Sequence, residues 1–472
     1  MLHQEVTIET LHDDALLAIF LSYLNQFRER ESAWQMLVHV CRRWRHLVFA
    51  FPDYLNVRLR CNNKAKPVRE TLSIWPVLPI AVSGIVIDID DEDDIVVALE
   101  QRDRVREISL EAYPSFDSSG TVVPAMLVPI PALMRLFLMA GEVSAPVIPD
   151  TFLGGSAPHL QFLHLHGIPF PALPDLLLSA RDLVDLTLSG IPRSGTFSPE
   201  AIVNSIADLS RLESLSLRFR SRQSCLVPGS RSPPVARDVL PALNRLCFEG
   251  TPEYLEDLIS RIDTPLIHHL DMTFFNQPFL PSDFYHLGQF IGRTEKFKSL
   301  TQAYINFRTS QVLLSQRTQT YDAALSVATF CKGLHPQLWY LAQICSASLL
   351  PLSTAESLEV SSELLRWQLH QGHVEEDARW LNVLQPFSGV KNLYPQENTL
   401  PSLAYALKEV PEERVAEVLP ALQVVSMDEP SPPGPLDLDM PLPPAVQEAI
   451  DWFIAMRRLS TTCVDSKYWM GD

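Results

Sequence analysis

His164 and His166 stand two residues apart in the segment QFLHLHG. On an extended strand residues two apart share a face, so the pair has the spacing of two imidazole ligands to one metal ion. A structural or catalytic site needs a third or fourth ligand, and none stands nearby in sequence, so we expect no metal here. His268 and His269 are adjacent; on a strand they point to opposite faces, which predicts one packed and one solvated ring. The acidic run Asp88, Asp90, Asp91, Glu92, Asp93, Asp94 resembles a calcium loop in charge alone. A loop begun at Asp88 needs glycine where Asp93 stands and a bidentate glutamate where Leu99 stands. We therefore expect a solvated turn ahead of a helix that opens near Ile95, since carboxylates favour helix N-termini.

The remaining chemistry-bearing residues form no recognisable constellation. The seven cysteines (41, 61, 225, 247, 331, 345, 463) make no Cys-x-x-Cys pair and no framework spacing, and read as buried thiols in a reducing compartment. Glycine, with 17 residues, is never arranged as a phosphate-cradling loop, and neither a G-x-S-x-G elbow nor an H-E-x-x-H helix occurs. We expect no catalytic residue and no cofactor. The 472 residues carry a net charge of −18, which repels phosphate backbones and argues against nucleic acid or an anionic membrane as partner. No run reaches the roughly 18 apolar residues that span a bilayer. The apolar run Ala15 to Leu24 follows Glu5, Glu9, Asp13 and Asp14 instead of a basic segment, so it does not read as a signal peptide, and an intracellular protein is expected.

The elements that must position any site begin with that run. Leu16, Ile19, Phe20, Tyr23 and Leu24 recur at helical spacing, behind a capping box of Thr10 and Asp13, and predict a helix over about Asp13 to Leu24. Ser32 and Gln35 form a second capping box. Leu37, Val40, Cys41, Trp44, Leu47 and Val48 then continue an apolar face until Phe51 and Pro52, which predicts a second helix. Two short helices cannot bury so wide a face alone, so the unit should dock on something else. The stretches LHDDALLAIFLSYL and LVHVCRRWRHLVFAFPDYL resemble an F-box, the three-helix module by which substrate receptors join cullin-type ubiquitin ligases through an adaptor protein. The resemblance implies that Leu11, Leu16, Ile19, Phe20, Leu24, Val40, Cys41 and Trp44 serve the adaptor.

From residue 100 a Leu-x-x-Leu-x-Leu pattern recurs, beginning at Val105, Leu133, Leu160, Leu183, Leu212, Leu243 and Ile267, with offsets of 23 to 31 residues. Such periods match leucine-rich repeats, in which a short strand and a helix or loop bury their faces only against neighbouring units. Ile168, Ile191, Arg220 and Thr251 stand where such repeats usually carry Asn or Cys, so the repeats are irregular. Weaker candidates begin at Phe297, Leu338 and Val390, and a good one at Leu422. With the leucines inward, the alternate positions form an open strand face: Glu107, Glu111, Arg135, Phe137, Phe162, His164, His166, Asp185, Arg218, Arg245, Glu249, His269, Asp271 and Asp428. Carboxylates outnumber arginines on it, which suits a basic or amphipathic segment of a protein target. WPVLPI, DDEDDIVVALEQRDRVREISL, EYLEDLISRIDTPLIHHLDMTFFNQ and VLPALQ are similar to the long F-box proteins of mushroom-forming fungi, a likeness that covers nearly the whole chain.

Two segments interrupt the pattern, Ser221 to Arg237 and the proline-rich Asp428 to Pro444. After the second, Val446, Ala449, Ile450, Phe453, Ile454 and Leu459 share one face of a helix that should cap the open end of the repeats, with Arg457 and Arg458 away from that face. The expected fold is α/β. It comprises F-box helices over 1–60, a connector with the first solenoid elements over 61–98, and an irregular leucine-rich-repeat solenoid over 99–427, a horseshoe of parallel strands and helices. A proline-rich loop over 428–444 and a capping helix and tail over 445–472 complete it. The expected function is target recognition for a cullin-type (SCF) ligase, with the adaptor, and a cullin through it, as partners; the alternative is a non-catalytic scaffold that binds the adaptor or other proteins without ubiquitylation.

Overall fold

Alternation of apolar and polar residues sends every second strand side chain inward, and the repeat leucines obey it throughout. In all seven segments from Val105 to Met272 the three patterned positions are at most 4% exposed. The structure, a computed structural model, describes residues 8, 11–26, 33–62, 67–86, 90–112, 121–141, 147–225, 236–277, 284–347, 349–363, 374–396, 399–428, 444–457 and 460–464. The chain divides into two compact units, Met1–Thr196 and Phe197–Asp472; the division falls inside the repeat region expected over 99–427.

The first unit opens with three helices, α1 (Asp13–Gln26), α2 (Ala33–Val38) and α3 (Arg42–Ala50). The second helix expected from the capping box at Ser32 is thus two. The break comes at Cys41, whose backbone is extended (φ −155°, ψ 171°) and whose Sγ accepts from the Trp44 N–H at 3.5 Å, which starts a new helix. Then follow β1 (Leu59–Asn62), α4 (Val68–Ile74), β2 (Ile80–Val86), α5 (Asp90–Leu99), β3 (Val105–Ala112), α6 (Val122–Ala125), β4 (Arg135–Ala140), β5 (Phe162–His166), α7 (Leu173–Leu177) and β6 (Asp185–Ile191). The strands pair in parallel in chain order, β1 to β6. Repetition therefore starts before residue 100; Val57, Leu59 and Cys61, and Leu78, Ile80 and Val82, carry it in alternation alone. Gly167 (φ +68°) and Gly190 (φ +59°) turn the chain near the ends of β5 and β6, and a Cβ on Gly167 would lie 3.1 Å from the Ala140 carbonyl oxygen.

The described part of the acidic run, Asp90 to Asp94, is helix and not a turn; Asp88 lies outside the described residues. Helix α5 begins at Asp90, and Glu92 is buried, its Oε2 accepting from the backbone N–H (2.5 Å) and hydroxyl (2.7 Å) of Thr121 at the start of α6. Asp94 accepts from the Val68 N–H at 3.1 Å and so caps α4. Carboxylates on one helix cap the helices of adjacent repeats, where orphan N–H groups need acceptors.

The second unit holds α8 (Pro199–Ile206), β7 (Ser214–Phe219), β8 (Asp238–Val239), β9 (Arg245–Gly250), α9 (Pro252–Arg261), β10 (Ile262–Asp263), β11 (His269–Phe274), α10 (Tyr285–Arg293), β12 (Gln302–Phe307), β13 (Gln311–Arg317) and β14 (Ala324–Phe330). It continues with α11 (Leu334–Ser346), β15 (Ser357–Ser362), α12 (Val374–Leu384), β16 (Asn392–Pro395), α13 (Leu400–Lys408), β17 (Val424–Asp428), α14 (Pro444–Arg457) and β18 (Ser460–Val464). Its main sheet runs β7-β9-β11-β14-β13-β12-β15-β16-β17-β18, while β8 and β10 pair separately. Purely parallel strands were expected; instead β13 runs antiparallel to both β12 and β14. The chain passes from β11 to β12, returns through β13 to β14 beside β11, and resumes parallel pairing from β12 to β15. Two tight turns make the meander possible, one closed by the Arg308 N–H to the Gln311 carbonyl (2.8 Å) and one holding Tyr321 at φ +61°.

The weaker repeat candidates fare unevenly. Val390 and Leu422 lead into β16 and β17, Phe297 lies in a 3-10 turn (Glu295–Ser299) ahead of β12, and Leu338 is buried in the middle of α11. Leu338 is helical because Leu334, Leu338, Leu341 and Cys345 recur every three or four residues. At the end of the chain, Val446, Ala449 and Ile450 of α14 pack with Leu400 and Ala404 of α13, with Ile454 alongside, and β18 adds in parallel to β17. Arg457, expected to face away, donates to five backbone carbonyls, those of Val415, Ala416, Val418, Leu419 and Pro420. Residues 226–235 of the first interrupting segment, 429–443 of the second, and Arg458 and Leu459 lie outside the described residues.

Candidate protein-interaction surfaces

The N-terminal helices are fastened by their arginines. The Arg43 guanidinium meets Asp13 Oδ1 at 2.6 Å and donates to the Leu11 carbonyl at 2.5 Å, tying α3 to the start of α1. Arg45 donates to the Val38 carbonyl at 2.9 Å, bridging the break between α2 and α3. Inside lie Leu16, Leu17 and Phe20 of α1, Trp34, Leu37 and Val38 of α2, and Leu47 and Val48 of α3. The half-buried Trp44 ring packs on Phe20 with centroids 4.7 Å apart, and Trp34 packs edge-on against Trp75, just past α4, at 4.9 Å. Of the residues assigned to an adaptor surface, Leu16 and Phe20 are wholly buried and hold the helices together; they are not presented to a partner. Leu11 and Leu24 are half-buried. Ile19 (45% exposed) and Val40 (59%) face out, as does Cys41, and Met36 (65%), absent from the expected set, joins them. Apolar side chains this exposed leave an uncovered surface, the usual mark of an interaction site when they are grouped.

The open face of the first unit is organised in cross-strand rows. One row runs Arg60, Ala81, Glu107, Arg135, Phe162, Asp185; the next Ser83, Ser109, Phe137, His164, Thr187; the third Ile85, Glu111, Met139, His166, Ser189. All eight face residues expected in this unit therefore share one face. Arg135 lies over the Phe162 ring, 4.3 Å from its centroid, and Phe137 meets His164 edge-on at 6.3 Å. His164 Nε2 is 2.8 Å from Asp185 Oδ1, which also accepts from the Thr187 hydroxyl at 2.9 Å; His166 Nδ1 is 2.9 Å from the Ser189 hydroxyl. Each histidine thus serves a different neighbour. Among the described residues no group of three or more His, Cys, Asp or Glu is placed to hold a metal ion. Glu107 Oε1 lies 3.8 Å from Arg58, which also meets Asp53 at 3.3 Å. Two of the three carboxylates expected on this face of the first unit, Glu107 and Asp185, thus have neighbours within the chain.

In the second unit Arg218 stands across from Glu249, and Arg245 from His269. Burial raises the Glu249 pKa, with Arg218 opposing the shift, and burial, His268 and Arg245 together lower that of His269. His268 precedes β11, so its ring swings back to meet that of His269, 4.7 Å apart, and the two do not take opposite faces. Cys247 donates to Asp271 Oδ2 at 3.6 Å, and the Ser326 hydroxyl donates to Asp271 Oδ1. This trio lacks the chemistry of an activated nucleophile: burial, and Asp271 beside it, push the Cys247 thiol up to about 11, so it stays protonated at neutral pH. The side chain of Asp428 lies outside the described residues. No helix among the described residues is long and apolar enough to cross a membrane.

No protein-family model matches the chain, and no curated protein matches it. Among solved structures it is similar to the crystal structure of the leucine-rich repeat-containing protein LegL7 from Legionella pneumophila, at 11% identity and a TM-score of 0.28, over 84% of this chain and 97% of that one.

Proposed function

We propose that this chain is a target-recognition subunit of a cullin-type ubiquitin ligase, working inside the cell, in which α1 to α3 hold the ligase adaptor and the open strand faces hold a protein target. The observation that carries the reading is the split of the apolar N-terminal residues: Leu16, Phe20, Leu47 and Val48 bind the helices together, which leaves Ile19, Met36 and Val40 uncovered. The resemblance of this segment to an F-box supports the adaptor as occupant, and the leucine-rich-repeat character of the sheet supports a protein as target. On this reading the chain catalyses nothing; ubiquitin transfer belongs to other subunits.

The test is recovery of a cullin with the tagged full-length chain from cells, alongside the adaptor. Co-recovery of both supports the ligase reading. Recovery of the adaptor without a cullin favours a scaffold, and recovery of neither refutes an F-box role.

A further inference from the structure

Arg135, like Arg60, is an exposed cation on the first unit's open face, and its setting is specific. Its guanidinium rests on the Phe162 ring, and among the described residues no carboxylate pairs with it. A guanidinium stacked on a ring keeps its N–H groups pointing outward in its own plane, the geometry that meets a carboxylate with two parallel hydrogen bonds. The nearby carboxylates are already occupied. Asp185 serves His164 and Thr187, while Glu107 and Asp53 face Arg58. Glu111 is four residues along β3 from Glu107, about 13 Å away at strand rise, and charges separated beyond about 8 Å are largely screened. Arg58, Arg106 and Arg135 also lie near enough that the latter two lower the Arg58 pKa, after its burial, against the opposing pull of Glu107 and Asp53. On this row Arg60 and Arg135 stand with Glu107 and Asp185, so the charges balance, and what the face offers a ligand is the unpaired guanidinium of Arg135.

We propose that Arg135 anchors a carboxylate side chain of an extended acidic segment of the target protein, with Phe137 and Phe162 receiving the segment's apolar residues. The proposal rests on the open face being the target site, and is independent of the adaptor.

The probe is a fluorescein-labelled peptide of alternating Glu and Leu, titrated by anisotropy into the full-length chain, with Gln–Leu and Lys–Leu counterparts. The Glu–Leu peptide should bind saturably and more tightly than either counterpart. Arg135→Gln should weaken it about tenfold, Arg135→Lys less, and Arg181→Gln, at an exposed site off this face, not at all. Because Arg135 is exposed, circular dichroism of the variants should match the wild type; the Gln–Leu comparison needs no variant. Failure of all three peptides to bind, preference for Lys–Leu, or full affinity in Arg135→Gln would overturn the proposal. So would displacement by inorganic phosphate, which would assign Arg135 to a phosphate. Adaptor recovery from the same wild-type samples separates this outcome from failure of the ligase reading.

Discussion

Arg457 is the side chain through which the last helix grips the preceding repeat. Nη1 donates to the carbonyls of Val415 (3.2 Å), Ala416 (3.0 Å) and Val418 (3.3 Å), and Nη2 to those of Leu419 (2.9 Å) and Pro420 (3.3 Å). These carbonyls end a 3-10 turn and line a bend in which Leu419 takes φ +49°; the Leu419 carbonyl also accepts from the Leu422 N–H at 2.9 Å. Replacing Arg457 by Met keeps most of the stem and removes the donors. The two shortest contacts are charge-assisted bonds of about 1.5–3 kcal/mol each, and partial solvent access places the pair at the lower end, a loss of about 2–3 kcal/mol. The loss should be local, since α14 packs mainly on α13. Amides of α14 should exchange with deuterium about 30- to 150-fold faster while those of α9 keep their rates. Exchange of α14 within threefold of wild type, or uniform acceleration over the chain, would refute the anchoring role.

Glu92→Ala leaves the Thr121 N–H and hydroxyl without their buried acceptor, and should lower the stability of the first unit by about 1–3 kcal/mol in denaturant titration. Alkylation of the native chain at neutral pH should label exposed Cys41 well before Cys61, Cys247, Cys331 and Cys345, which are buried. For Cys61, Cys247 and Cys331, burial raises the thiol to about 11, so the reactive thiolate appears only as pH rises toward that value. Mass spectrometry of iodoacetamide-treated protein over a pH series reads both effects.

The repeat core was legible in the sequence because alternation of leucine with polar residues has one structural solution when the face must be buried; every patterned residue from Val105 to Met272 is inside. The meander was not legible, since QVLLSQR and ALSVATF alternate equally well as parallel or antiparallel strands, and strand direction is set by turns whose closing bonds are backbone to backbone. Leu338 was misread because leucines every three or four residues satisfy a loose repeat pattern as well as a helix. At the N-terminus, Leu16, Ile19 and Phe20 are all apolar on one helix; their spacing identifies a wide apolar face but does not say which part the other helices cover. On the strand face the rows followed directly from alternation, whereas the pairing of Asp185 with His164 and of Glu107 with Arg58 needed three dimensions.

The proposed role gives the uncovered part of the N-terminal apolar face to the ligase adaptor. Calorimetric titration of the purified chain with purified adaptor protein tests it most directly, using the wild type and the double variant Ile19→Glu, Val40→Glu. Both positions are exposed, so the variant should keep its fold, whereas Leu16→Asp, at a wholly buried site, would unfold the helices and report nothing about the interface. The wild type should bind saturably, and the double variant should lose at least a hundredfold in affinity with unchanged circular dichroism. No binding by the wild type, or undiminished binding by the double variant, would contradict it.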